Sequence, residues 1–382
     1  MKICLIVSDF APKVGGISTL NTQLARALAA HSSVKHVRVL SLTGHVGGGI
    51  EKLSPRLEVV RLPLGSVWRT VRTLWRELRK CKDYDVFHSP NIFPVGFLAL
   101  IICKYVMHKP LVATFMGTDV LASEGSAVTH AAKGFVLRHA DTIATISEST
   151  RSLVAHKYKL DARRIPVIYP QLPERPHVAA PESIRVHYGF ASDDVVVLTV
   201  CNLVRRKGVD DLIRAIGEVS SNHVKLIVVG DGAERANLEL LVQELKLSER
   251  VRFAGRVPST EPYYQDADIF ALASYFIPEE GDVEGLGIVF LEAEQHMLPV
   301  VGTRSGGIPE AMIENETGML VAERDVPGLA KVIEQLAVEP RLRRRMGERG
   351  ALFVAEHFSA EKVASAYVAL YTSLLPIATH SY

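Results

Sequence analysis

Two carboxylates eight positions apart, Glu284 and Glu292, flank the heptapeptide GLGIVFL inside the run from Gly281 to Glu310. Carboxylates accept hydrogen bonds from hydroxyls, and glycines such as Gly285 and Gly287 let a backbone bend tightly and approach a ligand closely. From Ile288 onward the apolar spacing turns helical, so the amides of Ile288 and Val289 would be unpaired donors at a helix start, a natural seat for phosphate. Glu292 follows Glu284 by about two helical turns and would fall near the same side. One acidic side chain on the loop and one on the helix are placed to hold the hydroxyls of two sugars, with the amides holding phosphate between them. A surface glutamate followed by a buried amphipathic helix fits the same spacing equally well.

Two other places offer cations or amides. Lys207–Gly208 stands just before a helix, where an α/β fold binds ligands at the carboxyl end of a strand, and Arg205 and Arg206 precede it. Near the start, Gly15–Gly16 links a strand to a helix, a phosphate-friendly crossover without the GxGxxG pattern. Relief of steric crowding at the turn explains that glycine pair as well as ligand approach does. The 14 histidines form no HExxH or clustered set, which argues against a metal held by the protein.

These residues need scaffolding, and the chain provides it twice. KICLIVSDF reads as a buried strand, followed by the glycine loop and a helix over Asn21 to Ala30. HVRVLSL, LEVVRLP, DVFHSPN, PLVATFMGTDV and DTIATISEST continue as strands, with a polar loop over Thr43 to Ile50 and helices over SVWRTVRTLWRELRKCK and GFLALIICKYV. Ser147 is placed as a helix N-cap. A proline-rich stretch, RIPVIYPQLPERPHVAAPES, closes a first domain over residues 1–175. VVVLTVCNL then starts a second, 176–355, in which HVKLIVVGDG, VRFAGRV and DADIFALAS are strands. A final helical segment, 356–382, follows it. Strands alternating with helices in both halves predict an α/β protein with two doubly wound parallel sheets and a ligand at the carboxyl ends of their strands.

Composition limits the classes. At 382 residues, 48% hydrophobic and 23% charged, the chain reads as two folded domains, neither disordered nor membrane-embedded. The net charge of +2 hides an asymmetry: residues 1–178 carry 24 Lys/Arg against 12 Asp/Glu, and the remainder 20 against 30. A basic half implies an anionic partner or surface. In the segment 66–82, Trp68, Val71, Leu74, Trp75 and Leu78 repeat at helical spacing among Arg69, Arg72, Arg76, Arg79 and Lys80. That pattern fits an amphipathic helix on an anionic membrane, and equally a helix packed on the sheet. Four cysteines without a CxxC pair read as reduced thiols, and a short first strand ended by Asp9 reads as neither signal peptide nor membrane span, so a cytoplasmic location is expected.

E-x7-E followed by the PVV strand and a GG-x-PE turn resembles the donor signature of retaining glycosyltransferases of family 4, and DVEGLGIVFLEA is similar to the phosphatidylinositol mannosyltransferase branch and its bacterial relatives. The resemblance implies the GT-B fold, two Rossmann-like domains facing a central cleft, with the helix of 356–382 crossing back to the first domain. It also implies transfer of a hexose from a nucleotide diphosphate sugar, GDP-mannose before UDP-sugars, to a lipid-linked or saccharide acceptor, with no cofactor, no metal and no nucleic acid. By the same resemblance Lys207 stabilises the diphosphate, and Arg205 or Arg206 is expected to take over part of the charge of the family arginine, with Arg206 the one assigned to help Lys207. Glu284 takes sugar hydroxyls and Glu292 the ribose, Gly15, Gly16, Gly287, Ile288 and Val289 face the donor phosphates, and Arg256–Val257 meets the base. Asn202 stands where the family has an arginine and Met116 where it has a histidine, before Asp119; Pro170–Gln171 replaces an Asn-Gly. His88 corresponds to an acceptor-cleft histidine, a satisfied loop histidine being the other reading. An epimerase of the same fold and a non-catalytic nucleotide-sugar sensor are the alternatives, separable by donor turnover with and without acceptors.

Overall fold

The computed structural model describes residues 1–13, 16–42, 49–63, 65–116, 127–172, 183–277 and 283–376. The chain divides into two compact units, Met1–Pro173 with Phe358–Tyr382, and Glu174–His357.

The first unit is built on a seven-stranded sheet. Its strands are β1 (Lys2–Val7), β2 (His36–Ser41), β3 (Gly49–Ser54), β4 (Leu57–Arg61), β5 (Val86–Ser89), β6 (Leu111–Phe115) and β7 (Thr142–Thr145), in spatial order β3-β4-β2-β1-β5-β6-β7. Ile3, Leu5 and Val7 pack into one apolar cluster while Cys4 and Ile6, the alternate residues of β1, pack into another. A strand buried on both faces carries a continuous apolar run, which is why KICLIV shows no polar alternation. The clusters are completed by helices on either side, among them Gly16–Ala30 and Val67–Arg79. The returning helix Ala360–Ser373 packs Val363, Ala364, Tyr367 and Tyr371 into the same core as Leu24 and Leu28.

Two features correct the sequence reading. The stretch expected as a loop, Thr43 to Ile50, ends in a strand, Gly49–Ser54, that runs antiparallel to β4 at the sheet edge with all six residues exposed. Without a buried face it has no alternation to betray it. The helix expected over GFLALIICKYV is a short α-helix, Val95–Leu100, continued by a π-helical stretch, Ile101–Val106.

The second unit holds β8 (Val195–Val200), β9 (Val224–Val229), β10 (Val251–Gly255), β11 (Ile269–Leu272), β12 (Val300–Thr303) and β13 (Gly318–Val321). All pair in parallel in the order β10-β9-β8-β11-β12-β13. Order reverses next to β8, so the loops after β8 and β11 flank the position where doubly wound sheets bind ligands. Gly230 and Gly232, after β9, lie so close to the main chain of Cys201 and Leu203 that a Cβ would come within 1.8 and 2.4 Å of their carbonyl oxygens. That contact shapes the loop carrying Asn202 to Lys207.

Candidate active site

The loop after β8 ends in a 3-10 turn, Arg205–Lys207, closed by Gly208 at φ +61°. A Cβ on Gly208 would lie 2.0 Å from the Ala273 carbonyl oxygen, so both space and backbone angle demand glycine. The turn directs Lys207 inward: its ammonium meets Oε2 of Glu284, and Arg206 Nη1 reaches the same oxygen at 3.2 Å. The three side chains are only 11 to 14% exposed. Burial pushes the Glu284 carboxyl up, but the charges of Lys207 and Arg206 outweigh it and hold it below the ordinary range. Cys201, at the start of this loop, feels all three charges, and its thiol is pushed up to about 11, chiefly by burial.

Glu284 is fixed from behind by the GG-x-PE turn. Gly307 N–H donates to the Glu284 carbonyl oxygen at 2.9 Å. Any Cβ at Gly306 or Gly307 would come within 2.2 Å of the carbonyl oxygens of Glu284 and Gly285, which accounts for the glycine pair. Beyond it, Gly287 at φ +81° starts the helix Ile288–Gln295, and no described side chain caps that start. The Glu284 Cγ stands 3.7 Å from where a Gly287 Cβ would be, so the carboxylate, the two cations and the first amides of the helix share one neighbourhood. That is a site for a dianionic group bearing hydroxyls. Glu292 lies further along the helix, its Oε2 accepting from the Tyr264 hydroxyl at 2.9 Å; burial moves its carboxyl above the ordinary range.

The remaining expected residues are less uniform. Asn202 is exposed, and Arg206, two residues past Leu203–Val204, is the arginine that joins Lys207. Arg256 is exposed and Val257 half-buried, just past β10. A Cβ on Gly16 would meet nothing within 4 Å, so crowding does not explain that glycine; Gly15 and Asp119 lie outside the described residues. Met116 is buried beside a small cavity also lined by Leu20, Ile146, Pro170 and Gln171. The two departures, Met116 and Pro170–Gln171, therefore meet in one place, which gives the second a packing partner.

His88 requires correction. It is fully buried, with Nδ1 2.6 Å from the Tyr371 hydroxyl and Nε2 2.8 Å from the Thr114 hydroxyl. Burial drives its pKa down to about 3, so it is a neutral core histidine tying the returning helix to the sheet, with no ring nitrogen left for an acceptor. Among the described residues one potential metal-ligand trio occurs, Asp193, Asp194 and His223. It sits at the amino ends of β8 and β9, whereas Lys207 follows the carboxyl end of β8.

The family described as "Glycosyl transferases group 1" matches residues 181–353, and that described as "Glycosyltransferase Family 4" matches residues 14–171. A GDP-mannose-dependent alpha-(1-6)-phosphatidylinositol monomannoside mannosyltransferase of Mycolicibacterium smegmatis is 34% identical over 91% of this chain and 92% of its own. The chain belongs to glycosyltransferase family 4. This glycosyltransferase is also 25% identical, over 98% of both chains, to the N-acetyl-alpha-D-glucosaminyl L-malate synthase of Bacillus anthracis. Its two parallel-sheet units have the GT-B fold, shared for instance with Anabaena HepE in complex with UDP and glucose (TM-score 0.77, 19% identity, 98% of this chain and all of that one).

Three residues that back Glu292 in the candidate site escaped the sequence reading: Tyr264, His296 and Glu261. Glu292 and Tyr264 are 28 positions apart and in different helices, so no local spacing signals the contact. Only His296, one turn after Glu292, was accessible to a helical-spacing argument.

Proposed function

We propose that this chain is a retaining hexosyltransferase that takes its sugar from a nucleotide diphosphate sugar, GDP-mannose in preference to a UDP-sugar, and passes it to a lipid-linked or saccharide acceptor. The observation that carries the reading is the meeting of Lys207 and Arg206 on the buried Glu284 carboxylate, beside a helix start that no described side chain caps. Two cations and free amides match a leaving diphosphate, and a carboxylate held ionised by them matches sugar hydroxyls. The preference for GDP-mannose leans on the 34% identity to a GDP-mannose-dependent enzyme over nearly the whole chain.

In this account Glu284 is a hydrogen-bond acceptor and not a nucleophile. When the donor binds, its diphosphate takes Lys207 and Arg206, and Glu284 exchanges those partners for hydroxyls of the sugar. The glycosidic bond to the diphosphate breaks as the acceptor hydroxyl oxygen bonds the anomeric carbon from the same face, the two cations and the amides of Ile288 and Val289 take up the negative charge of the leaving nucleoside diphosphate, and a phosphate oxygen of that leaving group accepts the acceptor's proton. Preformed donors of this kind contribute about 3–4 kcal/mol each to lowering a barrier. No divalent ion is needed for charge that the protein already balances. The basic first half and the exposed Trp68 support an acceptor at an anionic membrane surface, in line with a cytoplasmic, peripheral location. Among the described residues no helix is long and apolar enough to cross a membrane.

A panel of GDP-mannose, GDP, UDP-glucose, UDP-N-acetylglucosamine and UDP tested by thermal shift checks the donor. GDP ligands should raise the melting temperature most, and Lys207→Ala should abolish the shift. A response to UDP ligands alone moves the assignment to UDP-sugars, and no response to any of them refutes the donor site.

A further inference from the structure

Behind Glu292 lies a buried set of side chains that neither grips a diphosphate nor fills a plain apolar core. Tyr264, 1% exposed on the short helix Glu261–Asp266, donates its hydroxyl to Glu292 Oε2 at 2.9 Å. Its ring lies on the imidazole of His296, the centroids 5.1 Å apart and the planes 18° from parallel. His296 Nδ1 donates to the Glu292 main-chain carbonyl oxygen at 2.7 Å, and its Nε2 is 2.9 Å from Glu261 Oε2. Gln265 Nε2 donates to the other Glu261 oxygen at 2.9 Å.

A buried tyrosine hydroxyl is costly unless it has a partner, and here the partner is a carboxylate, which makes the bond a strong one. Engaging Oε2 fixes the plane of the Glu292 carboxylate and leaves Oε1 for a ligand hydroxyl. The stacked His296, anchored through Nδ1 and with Nε2 facing Glu261, blocks the tyrosine ring from turning away. We propose that Tyr264 is a positioning residue for donor recognition, holding the Glu292 carboxylate oriented and charged for the vicinal diol of a nucleotide ribose, with His296 and Glu261 locking Tyr264 in place. This rests on the reading that Glu292 takes the ribose.

The titratable groups around that carboxylate are Tyr264 and Glu261 from one helix, His296 from its own, and Cys201 beside Tyr264. Burial pushes the Glu292 carboxyl up, and the Tyr264 hydrogen bond and the His296 charge oppose it. Removing the hydroxyl leaves burial less opposed, so Glu292 would take up a proton at a higher pH and lose its value as an acceptor.

The test is binding of GDP and 2′,3′-dideoxy-GDP to the full chain by calorimetry from about pH 5.5 to 8, with UDP and its dideoxy analogue in parallel. The wild type should prefer the diol. Tyr264→Phe, which keeps the ring on His296, should cut that preference by about tenfold, the loss of one charge-assisted hydrogen bond. It should also move upward the pH below which the preference fades, a change that a merely structural role would not produce. His296→Asn, which frees the tyrosine ring, should act in the same direction and serves if the Phe variant does not fold. If Glu292→Gln loses the preference while Tyr264→Phe keeps it with an unchanged pH profile, the positioning role is wrong. If Glu292→Gln keeps the preference, or neither nucleotide binds, the ribose reading falls and the positioning role with it.

Discussion

Glu294 is a carboxylic acid in the wrong place by ordinary rules, and the consequence is measurable. It sits on the helix that presents Glu292, two residues on and facing the opposite way, fully buried against Gly350, whose Cβ, if present, would be 3.1 Å from its side chain. Neither carboxylate oxygen finds a well-aligned partner, and the nearby Thr317 hydroxyl compensates only in part. Burial raises its pKa from 4.5 to about 8. Between those values the unfolded chain has released a proton that the folded chain still holds. Stability therefore falls as pH rises from about 4.5 to about 8, and levels off above. The window of about 3.5 pH units, at about 1.4 kcal/mol each, sets a ceiling of about 5 kcal/mol, which relaxation of the interior reduces. Glu294→Gln removes the proton from the balance while keeping shape. In urea titrations followed for the second unit's transition, wild type and variant should be nearly equal near pH 5. The variant should gain by several kcal/mol at pH 8. A difference that does not change with pH, or a variant less stable at pH 8, refutes the reasoning.

The other predictions concern the site and its surroundings. Glu284→Gln and Lys207→Ala should each lower sugar transfer by about 100- to 1,000-fold with unchanged circular dichroism, because each removes charge from the diphosphate neighbourhood; near wild-type turnover in either sinks the assignment. Transfer should survive EDTA, and an obligatory divalent ion would overturn the account of leaving-group stabilisation. Anionic liposomes should sediment the protein in a salt-sensitive way, each basic residue adding about 1 kcal/mol, and Arg69, Arg72 and Arg76 changed to Glu should abolish it. Equal binding to neutral vesicles, or none to either, favours a soluble acceptor.

How much of this was readable depended on whether the cause was local. The run KICLIV, with both faces buried, and the glycines of the E-x7-E segment are local signals, and strand, helix start and donor-site candidates followed from them. Leu74 and Leu78 read as one stripe with Trp68, yet the leucines are fully buried in the core, with Trp75 packed against it, while Trp68 in the helix's first turn is 84% exposed. The convergence of Arg206 and Lys207 on Glu284 spans 77 or more positions, beyond any local spacing; the family resemblance gave Lys207 and Glu284 roles toward a donor but not this contact. His88 shows the same limit: reading DVFHSPN as a strand could not show that Tyr371, 283 positions later, would cover its end. Sequence order alone does not show which helix returns to seal a strand.

The most direct test of retaining transfer needs no acceptor. Hydrolysis of GDP-mannose by enzyme concentrated enough for release to outpace mutarotation, followed by proton NMR, reports the first-formed anomer of mannose. The account predicts α-mannose from wild type and almost none from Lys207→Ala, with UDP-glucose as the parallel donor giving α-glucose if the nucleotide preference is the other way. First-formed β-sugar, or release undiminished in Lys207→Ala, would contradict it.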